Sequence, residues 1–560
     1  MIDRSDTPPL HQRQQPGAST RWLVPISLLL LTFLALSPVL LNEFVGWDDT
    51  FTLTENPRLN PPSLGGVLHY WRHAYMSLYV PVTYTIWSAL AAVARTGSGG
   101  GRETVLNPWV FHAANLAVHL GSVLVLWRLL RELGCGPGAA WVGSAAFGVH
   151  PLQVETVAWA SGLKDLLGGF STLLALLCYA RSADPPRGQR AGLWLVLAAG
   201  CYLLGMLSKP TAIVFPLLAG IIDVMILRRP LRDAFIRLTP MLLLAIPCAI
   251  WTRFAQSITG GPSPILPMML RPLAAADAIA FYLIKLVAPL NLTIHYGRRP
   301  DVAQQSGWLL WTWVIPLAVA LLALALRRRA PWLGAGLLLM IVGLLPVLGL
   351  VPFEFQYYST VADHYMYLPM LGLAVAIALA MNQIVHAQMV AHTFAIVVLL
   401  AWSILSFRQA QLWSDTQTLM TQAVRVNEKS WVGLVSLGRL DLARGDTRAG
   451  LEKMRHAVEL RPDDAALHND LGTAYDQAGD HEQALREYGE ALRMGPTLSG
   501  PWANIGASLA EKGQFDEAIR YFNEALKRDP FNEAAHVGLE RALADRAGRP
   551  ATSTSSRPGN

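Results

Sequence analysis

The chain has 560 residues, 52% of them hydrophobic and only 15% charged, with 18 Trp and a formal net charge of +6. Soluble domains carry about 25% charged residues, so the composition excludes an ordinary soluble enzyme and points to a membrane protein. The charge is divided: residues 431–546 hold 20 acidic and 14 basic side chains, and the remainder 19 and 31, as expected of two compartments in one polypeptide.

Residues 1–20 are polar and rich in Pro and Gln, and read as a disordered cytoplasmic tail. The run 22–41 is longer than a signal-peptide core and lacks a clear small-residue cleavage site, so it is expected to remain as a helix. Roughly 20 apolar residues cross a bilayer. On that criterion 22–41, 109–131, 191–207, 210–227, 235–253, 308–326, 331–350, 366–384 and 391–407, with the shorter 139–149 and 166–180, give about eleven spans. The segments 80–94 and 272–290 are assigned as interfacial or re-entrant helices. With that assignment Arg4, Arg13, Arg21, Arg128, Arg131, Arg181, Arg187, Arg190, Arg228, Arg229, Arg232 and Arg327 to Arg329 all fall on one side, which the positive-inside rule makes cytoplasmic. These Arg stand in short turns between apolar runs and read as topology anchors, not as a nucleic-acid surface. Loops 43–108, 150–165, 254–307 and 350–365, and everything after 408, then face outward. Cys135, Cys178, Cys201 and Cys248 lie in or beside apolar segments and read as buried and inert, with no disulfide framework or zinc spacing.

After residue 430 a period of 34 appears. Gly438, Gly472 and Gly506 share one phase, Pro462, Pro496 and Pro530 another, Ala457, Ala491 and Ala525 a third, and Met454, Tyr488 and Phe522 fill one large-residue slot. This is the tetratricopeptide pattern of paired helices with small residues where they touch. It predicts repeats at 431–464, 465–498 and 499–532, a capping helix at 534–546 and a disordered tail over 547–560. Residues 413–427 fit the second helix of a partial repeat, so 409–430 reads as a linker helix. Such an array stacks into a solenoid whose concave groove takes a protein or peptide; a plainer reading makes it a scaffold for the membrane part.

The outward loops are rich in ionisable groups: Asp48 and Asp49 in FVGWDD, His150, Glu155, Lys164 and Asp165 in HPLQVETVAWASGLKDLL, Lys209 in LSKPTA, and Asp363, His364 and Tyr365 in ADHYMYLP. Charges at the membrane edge are functional candidates by default. Each has a plainer reading: the Asp pair capping an interfacial helix, Glu155 and Lys164 pairing across a bend, Lys209 snorkelling to headgroups, His150 before Pro151 as a helix stop. No H-E-x-x-H, C-x-x-C, P-loop or G-x-S-x-G pattern occurs, so zinc-protease, NTPase and serine-hydrolase readings lack their parts. An acid at the outer edge suits attack of a hydroxyl on a lipid-borne donor, since a carboxylate accepts the hydroxyl proton and nearby His or Lys can meet a leaving phosphate. On this reading Asp48 is the base, Asp49 orients the acceptor or a bound divalent cation, and Lys164, Lys209 or His364 meets the phosphate. No other cofactor is implied.

These motifs in this order, with YVPVTYTIWSAL, NPWVFHAANLAVH and the terminal repeats, resemble the transmembrane-and-tetratricopeptide-repeat (TMTC-type) proteins, which are similar to protein O-mannosyltransferases of the C-type glycosyltransferase (GT-C) fold. The resemblance runs from the first span to the last repeat. It implies an all-α, GT-C-like membrane bundle over 21–408 followed by the solenoid. It also implies a transferase using a polyprenyl-phosphate sugar, with an acid of the first outward loop (Asp48 or Asp49) as base and a second acid at Glu155. The chain departs from the family pattern at Gln153, Leu163 and His364, where His, Arg and Arg are usual, so mannose is one candidate sugar among others. Seven Lys among 45 basic residues, with abundant Ala, Leu and Gly, suggest a GC-rich bacterial source, hence an inner-membrane protein with its repeats in the periplasm. The competing reading is a non-catalytic scaffold whose repeats recruit an envelope partner. A transporter fits less well, because the charges gather at one face and not at mid-depth.

Overall fold

The computed structural model describes residues 20–98, 104–182, 191–257, 266–384, 388–530 and 532–548. The expected disordered tails, and the anchors Arg4, Arg13, Arg187 and Arg190, fall outside them, apart from the tail ends Thr20, Ala547 and Gly548. The chain divides into two compact units, Met1–Leu419 and Met420–Asn560.

The first unit holds sixteen helices among its described residues: α1 (Thr20–Leu36), α2 (Leu64–Arg72), α3 (Pro81–Ala94), α4 (Pro108–Glu132), α5 (Pro137–Val149), α6 (Val154–Ala158), α7 (Leu163–Arg181), α8 (Ala191–Ser208), α9 (Phe215–Ile221), α10 (Leu231–Ser257), α11 (Arg271–Val287), α12 (Pro300–Gln305), α13 (Val314–Ala325), α14 (Pro331–Leu344), α15 (Met370–Gln383) and α16 (Gln388–Gln411). The beginning of α17 (Thr416–Val426) completes it. A two-stranded hairpin, β1 (Arg95–Ser98) with β2 (Thr104–Leu106), joins α3 to α4 and was not expected from the sequence.

Seven segments are long and apolar enough to cross a membrane: Trp22–Leu41, Pro108–Glu132, Ala160–Arg181, Ala191–Ser208, Leu231–Ala255, Trp308–Ala325 and Gln388–Gln411. They carry exposed Leu, Ile and Phe on one side, such as Leu30, Leu193, Leu243, Leu321 and Phe394, the lipid-facing surface that apolar spans present. Three further expected spans are shorter apolar helices, Pro210–Ile226, Pro331–Val347 and Met370–Gln383, and Pro81–Ala94 joins that class. Proline sets these limits, because its fixed φ and missing N–H favour a helix start. The expected span at 139–149 becomes α5, a 13-residue helix with every residue from Val142 to Val149 buried. At about 1.5 Å per residue it reaches roughly 20 Å, short of the ~30 Å hydrocarbon core; it packs against α1, α4, α15 and α16. Of the cysteines, Cys135 and Cys178 are buried, Cys201 and Cys248 half-buried, and none is in a disulfide.

The second unit is the helical solenoid that the period foretold: α18 (Trp431–Ala443) with α19 (Thr447–Leu460), α20 (Ala465–Gln477) with α21 (His481–Met494), α22 (Ser499–Glu511) with α23 (Phe515–Arg528), and α24 (Glu533–Arg546) as the closing helix. The shared glycine exists for the large slot. A Cβ on Gly472 would lie 2.5 Å from the ring of Tyr488, and one on Gly506 2.9 Å from Phe522. Successive first helices stack on one another, and Asn504 Nδ2 donates to the side-chain Oδ1 of Asn469 across repeats at 2.9 Å.

Candidate functional site

The site is assembled in the first unit from four chain segments that meet at the ends of apolar helices. After α1 and a 3-10 turn at Ser37–Leu41, the chain runs through Trp47, which packs edge-on against Tyr358 at 5.1 Å. Asp48 and Asp49 then separate in role. Asp49 is fully buried: one carboxylate oxygen accepts from Val45 N (3.1 Å), the other from Ser161 N (2.9 Å) and Ser161 Oγ (2.6 Å). It ties the first outward loop to the second. Asp48 has a side chain 32% exposed and faces Lys164 Nζ at 3.4 Å. Asp49 does not cap the π-helical turn Thr50–Thr54 that follows, which takes no side-chain cap bond from it.

The second loop folds as a 3-10 turn, α6, another 3-10 turn and then α7. Glu155 on α6 does not pair with Lys164 across the bend; it meets His364 Nδ1 at 2.5 Å, and both side chains are buried. Lys164 lies over the Trp159 ring at 4.9 Å. Trp159 in turn lies 5.6 Å from the His364 ring. Lys209, at the end of α8, does not snorkel: it is 8% exposed, with Nζ 3.0 Å from Asp165 Oδ2. The result is two adjacent ion pairs, Asp48–Lys164 and Asp165–Lys209, two charges of each sign.

From the fourth loop, the 3-10 turn Asp363–Met366 supplies Asp363, His364 and Tyr365. Asp363 is buried and accepts from the Tyr296 hydroxyl at 2.9 and 3.0 Å. A crevice opens here, lined by Asp165, His364 and Tyr365 at its polar end and by Gly169, Thr211 and Gly343 among others. His150 stands apart from this crevice. Its Nε2 donates to the Leu286 carbonyl (3.1 Å), its Nδ1 accepts from Leu152 N (3.2 Å), and Trp402 lies against its ring. It closes α5 and joins the turn to α11, closer to the helix-stop reading than to a ligand-binding one.

Burial governs the titration of these groups. It pushes the Asp49 carboxyl up to about 6, with the Ser161 hydrogen bonds pulling the other way. It raises Glu155 well above the usual carboxylate range, reinforced by Asp363, and lowers His364 to about 3. Both shifts favour the uncharged forms of this pair. Burial also raises Asp363 to about 7 against the Tyr296 bond, and lowers Lys209 while Asp165 opposes the shift. Among the described residues no three His, Cys, Asp or Glu side chains gather as a metal site. The acids here face lysines, hydroxyls or a histidine.

Ser161, Trp159 and Tyr296 were not singled out in the sequence. Each is an ordinary residue type with a partner far along the chain: Asp49 for Ser161, His364 for Trp159 and Asp363 for Tyr296. Trp159 and Ser161 both lie in the motif that also carries Glu155 and Lys164.

Fold and site together define a polytopic all-α membrane protein that ends in tetratricopeptide repeats. Models of the tetratricopeptide repeat match residues 435–499 and 501–532. The chain is 34% identical over 132 residues to protein O-mannosyl-transferase Tmtc3 of Drosophila melanogaster, which is 19% of this chain and 14% of that protein. It is 22% identical over 486 residues to protein O-mannosyl-transferase F38B6.6 of Caenorhabditis elegans, 82% of this chain and 65% of that one. The matched stretches span less than two thirds of either relative. Among solved structures, a crystal structure of MamA matches 20% of this chain and 67% of its own at 24% identity and a TM-score of 0.19. The TMTC-type resemblance of the sequence is thus supported by named relatives and by the repeats.

Proposed function

We propose that the chain is an integral-membrane glycosyltransferase that moves a sugar from a polyprenyl-phosphate carrier to a hydroxyl of a protein acceptor on the extracytoplasmic side. The observation that carries this reading is the Asp48–Lys164 pair beside Asp165–Lys209: one partly exposed carboxylate and two buried ammonium groups within one cluster. The names of the TMTC-type relatives make mannose a candidate sugar. The Arg distribution supports the outward placement, and the composition a bacterial inner membrane with the repeats in the periplasm.

In the proposed reaction Asp48 accepts the acceptor hydroxyl proton as the oxygen attacks the anomeric carbon. The bond from that carbon to the phosphate oxygen breaks, and polyprenyl phosphate leaves with the electron pair. Lys164 and Lys209 meet the charge that develops on it, in a site where fixed cations act more strongly than in water. A single displacement inverts the anomeric centre. Before donor binding Lys164 is engaged with Asp48; an incoming phosphate competes for that ammonium and leaves the carboxylate free as base. Glu155 and His364, a buried neutral pair, hold the turn that carries Asp363 and Tyr365 against α6. Asp49 ties the two loops together. The repeats present the acceptor polypeptide.

The test is transfer of label from polyprenyl-phosphate sugars to protein by membranes containing the chain. Label appearing with one donor and absent with membranes lacking the chain supports the reading. No transfer with any such donor, with the repeats still capturing an envelope protein, makes the chain a scaffold.

A further inference from the structure

α4 is an apolar helix with four buried polar side chains, His112, Asn115, His119 and Ser122, of which the first three meet main-chain carbonyls of other segments. His112, Asn115 and His119 are separated by three and four residues, so they stack along one side of the helix, and each is 0% exposed. A polar group inside a membrane protein must find a partner or be strongly unfavourable. Each of the three finds one on main-chain carbonyls of other segments, while His112 Nδ1 and Asn115 Oδ1 have no hydrogen-bond partner among the described residues. His112 Nε2 meets the Glu43 carbonyl at 3.3 Å, five residues before Asp48. The Asn115 amide donates to the Trp159 carbonyl at 2.7 Å and the Val157 carbonyl at 3.2 Å, the end of α6 just beyond Glu155. His119 Nε2 meets the Gly148 carbonyl at 3.0 Å, at the end of α5. A carbonyl only accepts, so Nε2 bears the hydrogen and Nδ1 accepts from the Tyr367 hydroxyl at 3.2 Å.

We infer that this face of α4 is a positioning spine, with Asn115 as its central residue, which fixes the spacing of the loops bearing Asp48, Glu155 and His364. Asn115 has the widest reach. The two carbonyls it holds bracket the turn from α6 to the next 3-10 helix; that turn presents Trp159, on which Lys164 rests, and Ser161, which grips Asp49. Moving it shifts the Asp48–Lys164 pair and Glu155 together. His119 acts on the fourth loop, because Tyr367 follows His364 by three residues. None of these side chains touches the crevice, so the spine acts through geometry alone.

Asn115→Leu keeps the branched shape, at somewhat larger volume, and removes both donors. Since misplacement by about 1 Å can lower a rate on the order of 10²-fold, the variant should lose turnover by that order, with donor affinity changed less than about threefold. Combined with Asp48→Asn it should add little further loss, as expected when two changes act on one step. Turnover of Asn115→Leu equal to wild type would overturn the inference. If the single variant does not insert, His119 decides: the amide of His119→Gln can occupy the Nε2 position and should preserve activity, while His119→Leu should not, and equal activity of the two overturns the spine. The turnover readout rests on the function proposed above. Deuterium exchange does not: in full-length Asn115→Leu, main-chain amides of 156–162 should exchange at least about tenfold faster, and those of 431–546 at the wild-type rate. Unchanged exchange at 156–162 overturns the spine whether or not any sugar is transferred. Faster exchange in a chain whose wild type transfers nothing keeps the spine and removes the transferase.

Discussion

Replacing Asp48 by Asn separates chemistry from architecture. In the folded protein Asp48 meets one cation, Lys164, at 3.4 Å, and a third of its side chain faces solvent. At an effective dielectric of about 20 the bare attraction at that distance is about 5 kcal/mol, but measured pairs with this exposure contribute only about 0.2–1 kcal/mol net. Its main-chain carbonyl, which accepts from Thr52 N and Oγ1, is untouched by the substitution. The stability loss should therefore be about 1 kcal/mol, a fall in Tm of no more than about 2–4 °C. Loss of a general base lowers turnover by about 10²–10⁴, roughly 3–5 kcal/mol of barrier. The assay is label transfer by purified protein beside a melting curve on the same sample. Turnover above about a tenth of wild type, with Tm unchanged, would refute Asp48 as base; a collapse of Tm with turnover falling in proportion would refute the division between Asp48 and Asp49.

Asp49→Asn should behave in the opposite way, with stability as its readout. Burial lifts the Asp49 carboxyl from 3.8 to about 6 in the folded state, so folding favours its protonated form, and the stability present at low pH is lost as pH rises through 6. The variant's stability relative to wild type should rise between about pH 4 and 6, by up to about 3 kcal/mol in all, and stay level above; a relative stability that does not rise across that window would contradict the buried latch. Gly169→Ala would set a methyl 2.5 Å from the Tyr367 ring, and overpacking of that kind is unfavourable by about 1–3 kcal/mol. It should lower Tm and, by moving Tyr367, also lower turnover; an unchanged melting curve would mean the ring yields freely. A reporter active only outside the cytoplasm, fused after Asn560, should be active, and a silent one would reverse the orientation given to every loop.

The repeats were legible because their constraint is local and recurs: Gly472 and Tyr488 are sixteen positions apart, and the same pair returns as Gly506 and Phe522. The first spans were legible from length alone. The candidate residues were found as charges in apolar surroundings, but their partners were not. Nothing in the order of residues says that Asp49 meets Ser161 and not a cation, or that Lys209 turns inward to Asp165, because those choices depend on how α7 and α8 pack. His112, Asn115 and His119 were hidden for a different reason. Within a run read only for its hydropathy, scattered polar residues along a 25-residue helix do not interrupt the signal of a span. α5 was overextended in meaning because an apolar run of 11 residues cannot report whether it faces lipid or other helices.

The Asp165–Lys209 pair also bears on how the protein is made. The two charges sit at the start of α7 and just past the end of α8, neighbours that pack against each other along their length. A lone charge carried toward hydrocarbon during insertion is unfavourable by up to about 2.5–3.5 kcal/mol, whereas a helical hairpin that brings both can enter as a neutral unit. On the function proposed above, the pair that would supply a cation for chemistry would then also favour α7 and α8 entering the membrane together. Loss of either charge alone should register first as a fall in the amount of protein reaching the membrane. Removing both together restores that yield and leaves a well-inserted protein without its second ammonium group.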